Sequence, residues 1–249
     1  ERQGKLLITI QPPNGRAIQR EIHFNVQIGH SSVCCSIDIS NPQLWWPSGM
    51  GEQPLYAVTV QTMWNGAECD RREYNIGLRT VELDRSPLPK GTRFCLRVNG
   101  QDVFCKGGSW VPADAIMARV TKEKYEALIG EAKNANMNML RIWGGGIYES
   151  PHFYEACDRA GILVWHDFMF ACAQYPDRDP SFRAMVRTEA EAAIMLLRHH
   201  PCIAIWCGDN EDVEFIPNRW NIGKDADDPT LDPAGIIIFG QVLPDVCRA

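Results

Sequence analysis

From about residue 93 onwards the chain repeats a single unit, a short continuous apolar run followed by a segment of helical period. The runs are Met139-Leu140-Arg141-Ile142-Trp143, Ile162-Leu163-Val164-Trp165 and Ile203-Ala204-Ile205-Trp206. Before them, Phe94 to Val98 and Val103 to Lys106 flank the turn pair Asn99-Gly100 and read as a hairpin. Between the runs, Thr121 caps a helix with Tyr125, Leu128, Ile129 and Ala132 on one face. Ser150 at the cap, Pro151 at the first helical position and Gly161 just past the end frame a second helix. Ser181 opens a third, with Phe182, Met185, Val186, Ala193, Leu196 and Leu197 on one stripe, and Ile236 to Pro244 reads as the start of a fourth. Strands that are apolar throughout are buried on both faces, which calls for a parallel sheet covered by helices.

A doubly wound sheet and a (β/α)8 TIM barrel both begin in this way. The triple glycine Gly144-Gly145-Gly146 lacks the spacing of a dinucleotide fingerprint, which argues against the first. Counted from Val103 there are four strands, whereas a barrel needs eight to leave no open edge. A barrel reading therefore makes residues 84–249 the first half of a barrel, whose open edge calls for the missing half or for self-association.

Residues 1–83 follow a different rhythm. Leu6 to Ile10, Ile22 to Val26, Ser36 to Ile39, Tyr56 to Gln61 and Tyr74 to Leu78 alternate apolar and polar positions, punctuated by Pro12-Pro13-Asn14-Gly15 and Asn65-Gly66. Short strands at such intervals suggest an immunoglobulin-like β-sandwich with a scaffolding role. The chain then divides into a sandwich over 1–83 and an α/β region over 84–249. Trp45-Trp46-Pro47 sits where the two would meet and reads as packing, while Arg71-Arg72 and Asp177-Arg178-Asp179 read as solvated loops.

A net charge of −6 with no Lys/Arg-rich run speaks against a nucleic-acid partner. Arg198, His199, His200 and Pro201 interrupt the longest apolar stretch, so no membrane span is expected. Glu1-Arg2-Gln3-Gly4-Lys5 has no apolar signal core, and the chain reads as beginning inside a domain. None of the ten cysteines forms a Cys-x-x-Cys pair and no His sits at zinc spacing from a Cys pair, so no zinc site is expected. Cys157, Cys172, Cys202 and Cys207 read as small buried hydrophobes with free thiols, which tilts towards a reducing, cytoplasmic compartment.

The chemistry-bearing feature is the end of the last strand, where Ile203-Ala204-Ile205-Trp206 stops at Cys207-Gly208-Asp209-Asn210-Glu211. Barrel enzymes present carboxylic acids at such strand ends, and a Glu there serves as a general acid when its surroundings raise its pKa. The competing reading is a solvated acidic turn, since Asp209, Glu211, Asp212 and Glu214 cluster.

Five segments resemble one family. They are Leu44 to Gly49 with Gln53 to Tyr56, Ile76 to Val81, Asn136 to Glu149, Gly161 to Ala173 with its Trp165-His166-Asp167-Phe168-Met169-Phe170, and Trp206 to Glu211. In this order they resemble family two of the glycoside hydrolases, in its β-mannosidase branch. The resemblance implies an immunoglobulin-like domain, a catalytic barrel, a β-mannoside carbohydrate substrate and retaining exo-hydrolysis by two carboxylates roughly 5 Å apart, chemistry that needs neither a metal nor an organic cofactor. The alternatives are another exo-activity of the same family, such as β-glucosaminidase, β-galactosidase or β-glucuronidase, and a non-catalytic carbohydrate-binding or scaffold fragment. By position Glu211 matches the family's acid/base, and Asn210 the Asn that hydrogen-bonds the sugar's 2-hydroxyl. The nucleophile, a Glu on the seventh barrel strand, has no counterpart in this chain, which would then be inactive alone. Asp167 is expected to accept hydrogen bonds from sugar hydroxyls, with a structural salt bridge as the alternative, and Trp143 to pack on a sugar face or to fill the core near the rim. His166 stands where relatives usually carry Gln and reads as a structural residue, and Asp209 stands where they carry Asn.

Overall fold

A computed structural model describes residues 3–25, 29, 32–212 and 237–249. Its first part is one antiparallel sheet of β1 (Gln3–Gln11), β2 (Ile18–Asn25), β3 (Tyr56–Trp64) and β4 (Ala67–Ile76), ordered β2-β1-β3-β4. Asn65-Gly66 joins β3 to β4 with φ of 48° and 82°, the doubly left-handed geometry that an Asn-Gly pair accepts. Ile10, Tyr56 and Val58 form its core. The expected strand at Ser36 to Ile39 makes no ladder, although Ile37 and Ile39 still bury against that core. Alternation there records a buried face and not a paired backbone. Val26 lies outside the described residues.

A second, three-stranded sheet links the two parts: β5 (Val81–Asp84), β6 (Cys95–Val98) and β7 (Gln101–Val103), all antiparallel. The expected division after residue 83 falls inside β5, whose Asp84 pairs with Cys95.

The remaining strands are parallel and ordered β11-β10-β9-β8: β8 (Gly107–Trp110), β9 (Met139–Ile142), β10 (Leu163–Asp167) and β11 (Ile203–Cys207). Val103 to Lys106, expected to supply the first of these, instead closes β7, and the strand beside β9 is Gly107–Trp110. Two glycines and a serine carry no β-branched signal, and only pairing with β9 defines this strand.

Helices α1 (Lys122–Asn134), α2 (Pro151–Ala160) and α3 (Pro180–Leu197) alternate with the strands. Thr121 accepts from the Lys124 N–H and Ser150 from the His152 N–H, as their cap positions require. Gly161 ends α2 at φ 77°. The cap of α3 is Asp179, which accepts from the Ser181 N–H, so the helix starts earlier than Ser181 itself suggests. Its buried stripe is Val186, Ala190, Ala193 and Leu197, leaving Met185 and Leu196 exposed against expectation. Asp177 is not a solvated loop residue. It is fully buried and accepts from the Ile237 and Ile238 N–H groups at 3.0 and 2.6 Å, capping the helical run through Ile238–Val242 into α4 (Leu243–Arg248). The helix expected over Ile236 to Pro244 is thus present in its described portion from residue 237. No described helix is long and apolar enough to cross a membrane.

The two parts meet at Trp45, which has no exposed surface and packs with Leu96, Val98, Val103 and Leu163. Its indole N–H donates to the Asp158 carbonyl at 2.8 Å, and the Ser48 N–H donates to the Gly161 carbonyl at 2.7 Å.

Candidate active site

The carboxyl-terminal ends of β9, β10 and β11 converge on one network. Arg141 of β9 grips Asp167 of β10 with two bonds, Nε to Oδ1 at 3.0 Å and a terminal nitrogen to Oδ2 at 2.6 Å. The same terminal nitrogen donates to Asn210 Oδ1 at 3.2 Å, joining the residues after β11. Asp167 also accepts from the Trp165 indole at 3.1 Å and from the Gly144 N–H at 3.1 Å.

Asp167 therefore accepts four hydrogen bonds, two at each oxygen, and is 0% exposed. These four bonds match the roughly four lone-pair sites of a carboxylate. Asp167 thus forms the salt bridge that anchors Arg141, which reaches Asn210. Burial pushes its carboxyl up, with Arg141 pulling the other way.

After β11 the chain pairs with the residues after β10. Asn210 N–H donates to the Phe170 carbonyl at 2.9 Å, Cys172 N–H to the Asn210 carbonyl at 3.0 Å, and Ala173 N–H to Asp212 Oδ1 at 2.8 Å. Asn210 is buried, while Glu211 beside it is exposed. Glu211 holds φ 68° and Cys172 φ 51°. Backbone strain of this kind costs on the order of 1–3 kcal/mol per residue and persists only where surrounding structure enforces it. Asp209 is half-buried, not freely solvated, and burial pushes its carboxyl up. Asp212 is 2% exposed, its Oδ2 has no partner among the described residues, and burial with help from Asp209 and Glu211 pushes it up to about 7. Of the acidic cluster, Glu214 lies outside the described residues.

Trp143 is half-buried at the end of β9 with its ring over Gly145, where any β-carbon would meet it. His166 is fully buried under Tyr148, Tyr154 and Trp206. The Tyr154 hydroxyl receives the Glu149 N–H and so gives its own proton to His166 Nε2 at 2.8 Å, leaving Nδ1–H to donate to the Asp167 carbonyl at 2.7 Å. Burial lowers the imidazole to about 4, so it is neutral and structural at ordinary pH.

The family profile described as "Glycosyl hydrolases family 2" matches residues 1–79. β-Mannosidase B of Aspergillus fumigatus is 41% identical over 204 residues, and that of Aspergillus clavatus 42% identical over 239 residues. The crystal structure of β-D-mannosidase from Dictyoglomus thermophilum aligns at a TM-score of 0.91 with 39% identity, covering 99% of this chain and 30% of that one. This chain belongs to family 2 of the glycosyl hydrolases. A Parabacteroides merdae β-glucuronidase, at 17% identity and a TM-score of 0.70, shares the fold. The family-2 chain covers 81% of itself but 23% of the A. fumigatus enzyme, and 94% of itself but 28% of the A. clavatus one.

Three residues around Asn210 and Glu211 escaped the sequence reading. Arg141 carried a signal, because a charge inside an apolar parallel strand demands a partner, and Asp167 ends the neighbouring strand. Asp212 was indistinguishable from its acidic neighbours. Cys172, expected to be a buried hydrophobe, is only partly buried, and its thiol lies 3.5 Å from Glu211 Oε2. No sequence signal separates it from the other cysteines.

Proposed function

We propose that this chain carries the acid/base half of a retaining exo-β-mannosidase, with Glu211 as the proton donor. In this reading Glu211 protonates the glycosidic oxygen and then activates the water that releases the sugar, while a second carboxylate outside this chain attacks the anomeric carbon. Asn210 gives its remaining amide hydrogen to the 2-hydroxyl, since its Oδ1 is already held by Arg141. Trp143 offers a ring face to the sugar. The four parallel strands with their helices form part of a (β/α)8 barrel, and the amino-terminal sheet part of an immunoglobulin-like sandwich. β8 and β11, each paired on one side only among the described residues, would be covered by further barrel strands or a second copy.

The observation that carries this reading is the placement of the Asn210-Glu211 pair: a buried amide locked to Arg141 and Asp167, followed directly by an exposed carboxyl at the rim of a parallel sheet. The similarity to β-mannosidases over nearly the whole chain supports mannosides as the substrate class.

The test is hydrolysis of 4-nitrophenyl β-mannoside by the enzyme that contains this chain, against its Glu211→Gln variant. Loss of at least about 100-fold in kcat/KM towards substrates with poor leaving groups, and a smaller loss as the leaving group becomes more acidic, is expected for removal of a general acid. Equal activity of the variant refutes the acid/base role. Turnover of another β-glycoside but not of mannosides refutes the substrate assignment alone.

A further inference from the structure

Among the described residues, six other than glycine hold a left-handed backbone. Four are asparagines, Asn41, Asn65, Asn99 and Asn136, the residue type that tolerates this conformation in turns. The remaining two, Cys172 and Glu211, touch each other. Two unfavourable conformations at one contact point to a constraint that holds the two side chains together.

We propose that Cys172 is a positioning residue for the proton donor, its thiol giving a hydrogen bond to Glu211 and taking one from Asn210. The inference rests on the reading of Glu211 as the acid/base. The distances are 3.5 Å from Sγ to Glu211 Oε2 and 3.4 Å from Asn210 Nδ2 to Sγ. Asn210 is fixed in turn by Arg141, so the thiol links the exposed carboxyl to the buried Arg141–Asp167 anchor. The backbone enforces the contact from both sides: Ala171 and Asn210 form a parallel bridge, the Cys172 N–H donates to the Asn210 carbonyl, and the Ala173 N–H donates to the Asp212 carboxyl.

The thiol is suited to donate. Burial and the adjacent Glu211 push its pKa up, so it stays protonated. A neutral S–H is a donor that a carboxyl oxygen can accept from. It also restricts the side chain of an exposed glutamate to one rotamer. Cys172 is thus assigned a part in proton transfer that needs no thiolate chemistry.

The experiment compares Cys172→Ala, Cys172→Ser, Glu211→Gln and the exposed-site control Cys35→Ala in the full enzyme, with 4-nitrophenyl and methyl β-mannoside as substrates. Cys172→Ala is expected to lower kcat/KM for the methyl glycoside about tenfold and for the nitrophenyl glycoside about twofold, because only the poor leaving group needs a well-placed proton. The basic limb of the kcat/KM profile should move to higher pH, since the ionised carboxyl has lost a donor, and Cys172→Ser should restore most of the methyl-glycoside rate. Equal losses on both substrates, or an unmoved basic limb, overturn the proposal. If Cys172→Ala does not fold, Cys172→Ser decides alone: its stronger O–H donor should move the basic limb to lower pH, and an unchanged limb overturns the proposal. Should Glu211→Gln keep full activity on the methyl glycoside, the acid/base reading has failed and this inference fails with it. If Glu211→Gln loses activity while Cys172→Ala matches Cys35→Ala, only the positioning role is refuted.

Discussion

Replacing Asp212 by Asn should stabilise the protein at alkaline pH while leaving its stability in acid nearly unchanged. The Asp212 side chain is 98% removed from solvent by its 2% exposure, with one oxygen bonded to the Ala173 N–H and the other unpartnered among the described residues. Burial, then the charges of Asp209 and Glu211, lift its pKa from an ordinary carboxylate value to about 7. The folded protein therefore holds a proton between about pH 4 and pH 7 that the unfolded chain has released. In that window the native state binds more protons, so stability falls as pH rises, by about 1.4 kcal/mol per pH unit. Below about pH 4 both states are protonated and the contribution is fully present; above pH 7 it is gone. Across about three units the ceiling is about 4 kcal/mol. Exposed Glu211 lets water relax around the site, which brings the expected difference to about 2 kcal/mol. Asn keeps the acceptor for Ala173 and cannot ionise, so it mimics the protonated acid. Thermal or urea unfolding of both proteins at pH 5 and pH 8 isolates this term, because every other titrating group cancels in the difference. The variant should gain about 4–8 °C on the wild type between the two pH values. A variant equally destabilised at both, or wild-type stability that rises more steeply with pH than the variant's, would refute the assignment of a buried neutral acid.

Two further perturbations test the architecture around the site. Asp167→Asn leaves Arg141 facing an amide in place of a fully enclosed carboxylate, and should cost about 3 kcal/mol in urea unfolding; a loss under 1 kcal/mol would mean that the four-donor cage is not formed. Gly161→Ala should cost about 2–5 kcal/mol, because its left-handed φ of 77° penalises any β-carbon and that carbon would lie 2.6 Å from the Ser48 nitrogen, whereas Gly91→Ala, at φ 85° with open space around it, should cost only about 1–2 kcal/mol. Equal losses at the two glycines in thermal unfolding would remove the clash from the account.

What could be read in the sequence was what local chemistry decides. Ser150, Pro151 and Gly161 frame α2 because a cap, a fixed φ and a left-handed stop each act within one turn of the chain. Asn65-Gly66 and Asn99-Gly100 likewise turn two hairpins without help from elsewhere. The rim residues Asn210 and Glu211 were legible as the polar end of a buried strand. Illegible were features that depend on a distant partner. β3 pairs with β1 across more than forty residues, and Gly107–Trp110 is a strand only because Met139–Ile142 lies beside it. Asp177 and Asp179 look alike in a polar loop, yet one is buried under the last helix and the other caps α3, a difference set by where residues 237 and 238 return. Asp167 shows the same limit within the site. Its position at a strand end was plain, but its role turned on how many donors the fold had already aimed at it.

Among the described residues the amino-terminal sheet makes no hydrogen bond to the rim, but its junction with the parallel sheet bears on the rim's geometry. Arg79, just beyond β4, donates to the Pro201 and Ile203 carbonyls at 3.0 and 2.5 Å, at the opposite end of β11 from Glu211. Gly77 lies so close to Pro201 that a β-carbon there would come within 2.6 Å of the proline ring. Asp158, whose carbonyl holds the Trp45 indole, uses its carboxylate to accept from the Cys202 N–H at 3.0 Å and to pair with His200 at 2.6 Å. The base of β11 is therefore fixed from two sides before the strand starts. Five extended residues span roughly 16 Å, and a strand hydrogen-bonded to β10 has little freedom to bend over that length. Anchoring the base thus sets where the far end emerges, independently of any bond at the rim. A base held in this way lets the rim carry two left-handed residues and a buried acid with one oxygen unpartnered among the described residues. Packing and hydrogen bonds at the other end of the strand offset a rim geometry that local preference alone would relax.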